Sequence, residues 1–251
     1  MTFFRNVVFI AALTGLLGSV AMTAMQMFTT VPLILQAEVY ENAGAAAGHD
    51  HAAVPADQVA GTEVAAPAHE HDAEAWEPSD GIERYAFTFL ANIVSGIGFA
   101  LILVAVSEFA GGIGSWRQGL FWGLAGFTVF TLAPGLGLPP ELPAMPAADL
   151  FPRQVWWTST AIATAAGLAL IAFRRSPLYA IIGVALIVAP HIVGAPQPAS
   201  FETPIPEGLH HQFVVAVTMT HLVFWVVLGV VAGLIRPRFS GSSESLRSSF
   251  A

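Results

Sequence analysis

Six times along this chain an apolar run of roughly 20 residues recurs with almost no charge inside it. The runs cover residues 7–30, 85–106, 118–138, 154–173, 178–195 and 213–235. They do not alternate every second residue, so they are not barrel strands. Lipid cannot hydrogen-bond a backbone, and a stretch of this kind must satisfy its own polar groups as a helix. The expected fold is therefore an all-α integral membrane protein of about six transmembrane helices. Only 10% of the residues are charged and the mean hydropathy is +0.67, against roughly 25% charged residues in soluble domains.

The arginines orient the bundle. With the N-terminus in the cytoplasm, Arg5, Arg117, Arg174, Arg175, Arg236, Arg238 and Arg247 lie inside, and only Arg84 and Arg153 lie outside. This bias follows the positive-inside rule and puts both termini in the cytoplasm. Ser19-Val20-Ala21 loosely resembles a signal-peptidase site, but the apolar run continues through Leu35, which suits a retained anchor. The expected organisation is a first helix over 1–35, an outer loop over 36–84, a five-helix bundle over 85–235 and a disordered tail over 236–251. The first, third and fifth runs each end near proline, at Pro32, Pro134 and Pro190. That pattern suggests three repeated two-helix units related by an axis along the membrane normal.

Neither cysteine nor lysine is present, which excludes disulfides, thiolate metal sites and lysine Schiff bases. The net charge of −8 is not a nucleic-acid signature, and no nucleic-acid partner is expected. The acids are instead placed asymmetrically: of seventeen, only Glu108 and Glu244 face the cytoplasm. All eight histidines lie outside or within the membrane. His49 and His51 form one H-x-H pair in the outer loop, and His69 and His71 form another, each around a carboxylate. Imidazole is a common ligand for divalent cobalt, nickel, copper and zinc, so the loop is read as a capture segment for a divalent cation. His210 and His211 sit at the outer mouth of the last helix, His191 near the outer end of the fifth, and His221 about ten residues into the sixth. An ionisable group within a span is costly and usually faces a cavity or a partner. These four complete the candidate metal set, and Glu38, Glu41, Asp80, Glu83 and Glu141 form a candidate acidic vestibule. Gln26, Thr23, Asn92 and Ser95 are further intramembrane polar groups.

Several stretches on the outer face carry a resemblance to a known family. They read VPLIL at 31–35, AEVYE at 37–41, WEPSDGIER at 76–84 and WGLAGF at 122–127. LAPGLGLPPELP at 132–143, Asp149-Leu150 and RQVWW at 153–157 complete the set. Together they resemble the CbtA family of predicted cobalt transporter subunits. The resemblance implies a membrane subunit for cobalt uptake in the bacterial inner membrane, linked to cobalamin synthesis. It also implies a small single-helix CbtB-like partner. The implied cargo is Co(II), with Ni(II) as the alternative, and no permanently bound cofactor is expected. An accessory metal-binding subunit that conducts nothing is the second reading, and a metal-dependent membrane enzyme the third.

Overall fold

A computed structural model describes residues 2–50, 78–79 and 81–248, in which helices are joined by short irregular loops and no strand occurs. Helix α1 is Thr2–Phe28, α2 Thr30–Asp50 and α3 Ile82–Phe109. Helix α4, Trp116–Phe127, runs through a π turn at Thr128–Leu132 into the short α5, Ala133–Gly137. Three more follow: α6 Leu150–Phe173, α7 Pro177–Val193 and α8 Glu207–Ser248. Five segments are long and apolar enough to cross a membrane: Phe4–Phe28, Ile82–Phe109, Trp116–Gly137, Leu150–Phe173 and Glu207–Phe239. The apolar α7 is shorter, with 17 residues; at about 1.5 Å per residue it is slightly shorter than a hydrocarbon core of roughly 30 Å. With it the bundle has the expected six helices.

Two boundaries differ from the sequence reading. Helix α2 runs on to Asp50, into the segment read as loop from residue 36. Once a helix is nucleated each added residue brings a hydrogen bond, and Ala45-Ala46-Ala47 has high helix propensity. Helix α8 likewise continues through Pro237 to Ser248, into the segment read as disordered.

The closest pairings are α1 with α3, α4 with α8, and α6 with α7, while α1 also packs along α8. Three consecutive two-helix units are therefore not the packing units: the third span pairs with the sixth and the fourth with the fifth. Glycine placement gives the reason. A Cβ on Gly119 would stand 2.1 Å from the Gly229 carbonyl oxygen, and one on Gly229 2.2 Å from that of Gly119. Gly167 and Gly183 face each other across α6 and α7 with equivalent gaps of 2.5 and 2.6 Å. Helices in lipid gain from such close backbone approach, and the glycines dictate which faces meet.

Trp225, only 2% exposed, is the hub of the core. Its indole stacks on Phe130 at 5.7 Å with 4° between the planes, and meets Phe99 edge-on at 5.2 Å. The π turn that carries Phe130 has a local cause. Pro134 has no N–H to give the carbonyl of residue 130, and its ring would clash there. The helix widens just before it, and the Ala133 N–H bonds back to the Thr128 carbonyl. The LAPGLGLPPELP stretch thus has structural work. Ala133 and Pro134 are buried, Gly137 lies against the Trp156 indole, and Leu142 enters a second core at the outer end.

Gly229→Leu is expected to lower the melting temperature of the detergent-purified protein sharply and broaden its size-exclusion peak, since overpacking costs about 1–3 kcal/mol or more. Gly98→Ala, where an added Cβ meets open space, should leave melting unchanged or raise it.

Candidate ion-uptake face and intramembrane polar cluster

Helix alternation brings six features to one end of the bundle: the end of α1 with α2, the start of α3, the loop after α5, the start of α6, the end of α7 and the start of α8. The arginine bias makes this the expected outer end. A small apolar core of Ala37, Leu142, Ile205, Leu209 and Phe213 ties α2, both outer loops and α8 together there. Thr203 Oγ1 donates to the Ala144 carbonyl at 3.1 Å, and Ala144 holds a positive φ of 63° at that junction.

Both outer arginines are paired. Arg84 on α3 grips Glu38 on α2 with two guanidinium nitrogens, Nη1 reaching Oε2 at 3.2 Å and Nη2 reaching Oε1. Arg153 Nη2 donates to Glu141 Oε2 at 3.1 Å and closes the loop onto α6. Two of the five candidate vestibule acids are thus held in structural ion pairs. Glu83 accepts from the Ser79 N–H at 3.2 Å and from the Ser79 hydroxyl, and Glu41 is exposed on α2. Asp80, His51, His69 and His71 lie outside the described residues, as does the side chain of His49.

The four remaining histidines are separated. His191, half-buried in the last turn of α7, lies edge-on to Trp156 at 5.8 Å. The Trp156 indole N–H donates to the Pro190 carbonyl at 3.2 Å, and the Gly194 N–H reaches the same oxygen at 3.0 Å. His210 Nε2 meets the Pro140 carbonyl at 3.2 Å, a contact that needs the proton on Nε2 and staples the outer loop to α8. His211 beside it is exposed. His221 Nδ1 meets the Val217 carbonyl at 2.9 Å. That bond fixes the proton on Nδ1 and leaves the Nε2 lone pair as the ligating atom, the arrangement metal-binding imidazoles use. His210 and His221 are eleven residues apart on one helix, about 16 Å along the axis. They can act in sequence on an ion but cannot chelate it together. Among the described residues no three histidine, aspartate or glutamate side chains converge on a possible metal position.

Deeper in the membrane the polar groups do converge. The buried Asn92 of α3 donates from Nδ2 to Thr23 Oγ1 at 2.9 Å and to Gln26 Oε1 at 2.6 Å, both on α1. Ser19 Oγ lies 2.6 Å from the Asn92 carbonyl and 2.7 Å from that of Gly15. Thr29 Oγ1 continues the seam to Thr220 Oγ1 on α8 at 3.2 Å. Ser19, Thr23 and Gln26 recur every three or four residues, so they line one face of α1, and Thr29 follows just past its end. Three of these groups stand out in the sequence as intramembrane polar residues, but Ser19, Thr29 and Thr220 do not. For Ser19 and Thr29, helical spacing from Thr23 and Gln26 is the signal that would have joined them; Thr220 on α8 joins only through the tertiary contact. Ser95, on the exposed face of α3, is not part of the seam.

A family described as CbtA, probable cobalt transporter subunit, matches residues 4–236. The chain is a member of this family. No curated protein and no solved structure matches it. As a CbtA protein it is a multi-pass membrane subunit of a cobalt transporter family, which by its description acts with at least one other component. At the opposite end of its bundle, Arg236 of α8 binds Glu108 at the end of α3, with Nε–Oε1 at 2.5 Å and Nη2–Oε2 at 2.8 Å. Arg236 Nη1 also donates to the Ile113 carbonyl at 3.2 Å. The guanidinium lies where a Cβ of Gly112, at φ 78°, would otherwise stand.

Asn92→Ala should lower stability by about 1–2 kcal/mol, the range of interhelical hydrogen bonds in lipid, whereas Ser95→Ala should leave thermal melting in detergent unchanged. Glu108→Gln alone or Arg236→Gln alone should cost about 2 kcal/mol, below the roughly 3–5 of a fully buried pair, because the two side chains remain 16% and 18% exposed. A double-mutant cycle on chemical denaturation should show the paired variant recovering part of that loss.

Proposed function

We propose that this CbtA protein takes up a divalent transition metal, Co(II) before Ni(II), across the bacterial inner membrane for cobalamin synthesis. It does so with a small single-helix CbtB-like subunit. The observation that carries the reading is the family match over residues 4–236, on a bundle whose acids and histidines are concentrated towards one face. His49, His51, His69 and His71 capture the ion from dilute solution. In the vestibule of Glu38, Glu41, Asp80, Glu83 and Glu141, the carboxylates of Glu41, Asp80 and Glu83 hold cation density at the helix mouths, while Glu38 and Glu141 neutralise Arg84 and Arg153. Pairing of Glu38 and Glu141 with the two outer arginines supports this: it leaves no unpaired arginine among the described outer residues to repel the ion. The ion then passes by His211 and His210 towards His191 and His221, beside the hydroxyls of the Thr29–Thr220 seam. A negative-inside potential favours inward movement of a doubly charged ion by about 4.6 kcal/mol per 100 mV.

One observation favours a second reading, an accessory subunit that binds metal outside and conducts nothing. No three-ligand group lies in the described bundle, so conduction needs single-ligand steps or a partner's donors. The family description speaks against the metal-dependent enzyme.

The test is uptake of radioactive cobalt at sub-micromolar concentration in cells expressing the chain with and without the CbtB-like partner, with nickel and zinc as competitors. Changing His49, His51, His69 and His71 together to alanine should raise the half-saturating concentration and leave the maximal rate intact. His221→Ala should lower the maximal rate. Absence of uptake in every combination, despite normal membrane levels of protein, would leave the accessory reading.

A further inference from the structure

The α6–α7 pair meets the rest of the bundle chiefly through the π turn and α5, both in the outer half. Between α3 and α6, over α4, lies a cleft of about 380 Å³. It runs from Val129 and Phe130 at mid-depth to Ala110, Gln118 and Phe173 at the inner end. Its walls are apolar apart from the Gln118 amide, whose Oε1 already accepts the Gly114 N–H at 2.8 Å. The cleft is within the size of a small-ligand site, roughly 300–1,000 Å³.

Three arginines adjoin in sequence the residues at the inner end of the cleft. Arg117 adjoins Gln118, and Arg174 and Arg175 adjoin Phe173. All three are exposed, and no described carboxylate pairs with any of them. Aromatic rings hold two in place instead: the Arg117 guanidinium lies 5.5 Å from the Trp116 centroid, and that of Arg174 lies 5.7 Å from the Tyr179 centroid. Arg236, the cation that does have a carboxylate, serves the α3–α8 junction elsewhere. An apolar slot whose inner end is flanked by exposed arginines without carboxylate partners has the charge and polarity of a site for an anionic lipid. The geometry points to a binding site for an anionic phospholipid, with an acyl chain in the cleft and the phosphate at Arg117 and Arg174. The lipid fills the space between α3 and α6 and braces the loosely attached α6–α7 pair. This assignment does not depend on which metal the protein carries.

Native mass spectrometry of the full-length, delipidated protein in detergent tests it. Phosphatidylglycerol and phosphatidylcholine with identical acyl chains are added in equal amounts. One phosphatidylglycerol is expected to be retained preferentially, by roughly fivefold for each contributing arginine. Arg117→Gln with Arg174→Gln should bring the two lipids to near-equal retention, while Arg238→Gln, an exposed arginine on the same face, should leave the preference intact. Ala169→Trp, which fills the cleft, should abolish retention of both. Millimolar inorganic phosphate should not displace the lipid. Equal retention by the unaltered protein would overturn the assignment, as would an undiminished preference in the double arginine variant or retention by Ala169→Trp. Displacement by phosphate alone would reduce the site to an ion site without a lipid. Crosslinking of Ala169→Cys to a co-expressed single-helix partner, with loss of the lipid, would assign the cleft to a protein instead.

Discussion

Lipid tails are as apolar as leucine, so two helices in a bilayer gain little hydrophobic free energy by meeting. What holds them is close backbone approach and the few polar contacts they make with each other. In this protein each strong pairing has such a device. Opposed glycines join α4 to α8 and α6 to α7. Ser19 and Asn92 join α1 to α3, and Glu108 with Arg236 locks α3 to α8. The polar groups of the membrane interior therefore carry structure first, and any passage of ions has to use what that structure leaves available.

This priority explains the state of the candidate site. Both outer arginines and two vestibule glutamates are consumed in helix-to-helix clamps, and His210 and His191 are tied to the outer loop and to Trp156. The half-buried His221 differs, because its backbone contact orients it while leaving Nε2 available. Isolated donors along a route suit a protein that must release its ion. A converged three-ligand cage would hold the ion too tightly for rapid passage, whereas one-ligand steps bind weakly and let it move on.

The candidate site was nominated from residue type and topology alone. Arginine placement set the expected outer end, and histidine and carboxylate clustering made that end the candidate for meeting a cation. Pairing was not legible. Nothing in the spacing of Glu38 and Arg84, forty-six residues apart, announces their ion pair. The outer core of Ala37, Leu142, Ile205, Leu209 and Phe213 likewise draws on three distant segments. The resemblance carried by LAPGLGLPPELP was visible as a string, but its meaning as a proline-induced π turn seated on Trp225 was not.

The sequence by itself determined that the chain lives in lipid, that it is helical and that it has about six apolar spans, and its arginines set the expected outer end. Each of these follows from local hydropathy, charge placement and the absence of water for backbone groups. The tertiary structure decided which helices are neighbours, because the third and sixth spans are joined by Gly119 and Gly229 and not by chain order. It also decided which polar groups are spent on holding helices together and which remain for an ion or a lipid. Those outcomes depend on which faces meet across the bundle, and hydropathy along one strand of sequence carries no record of that.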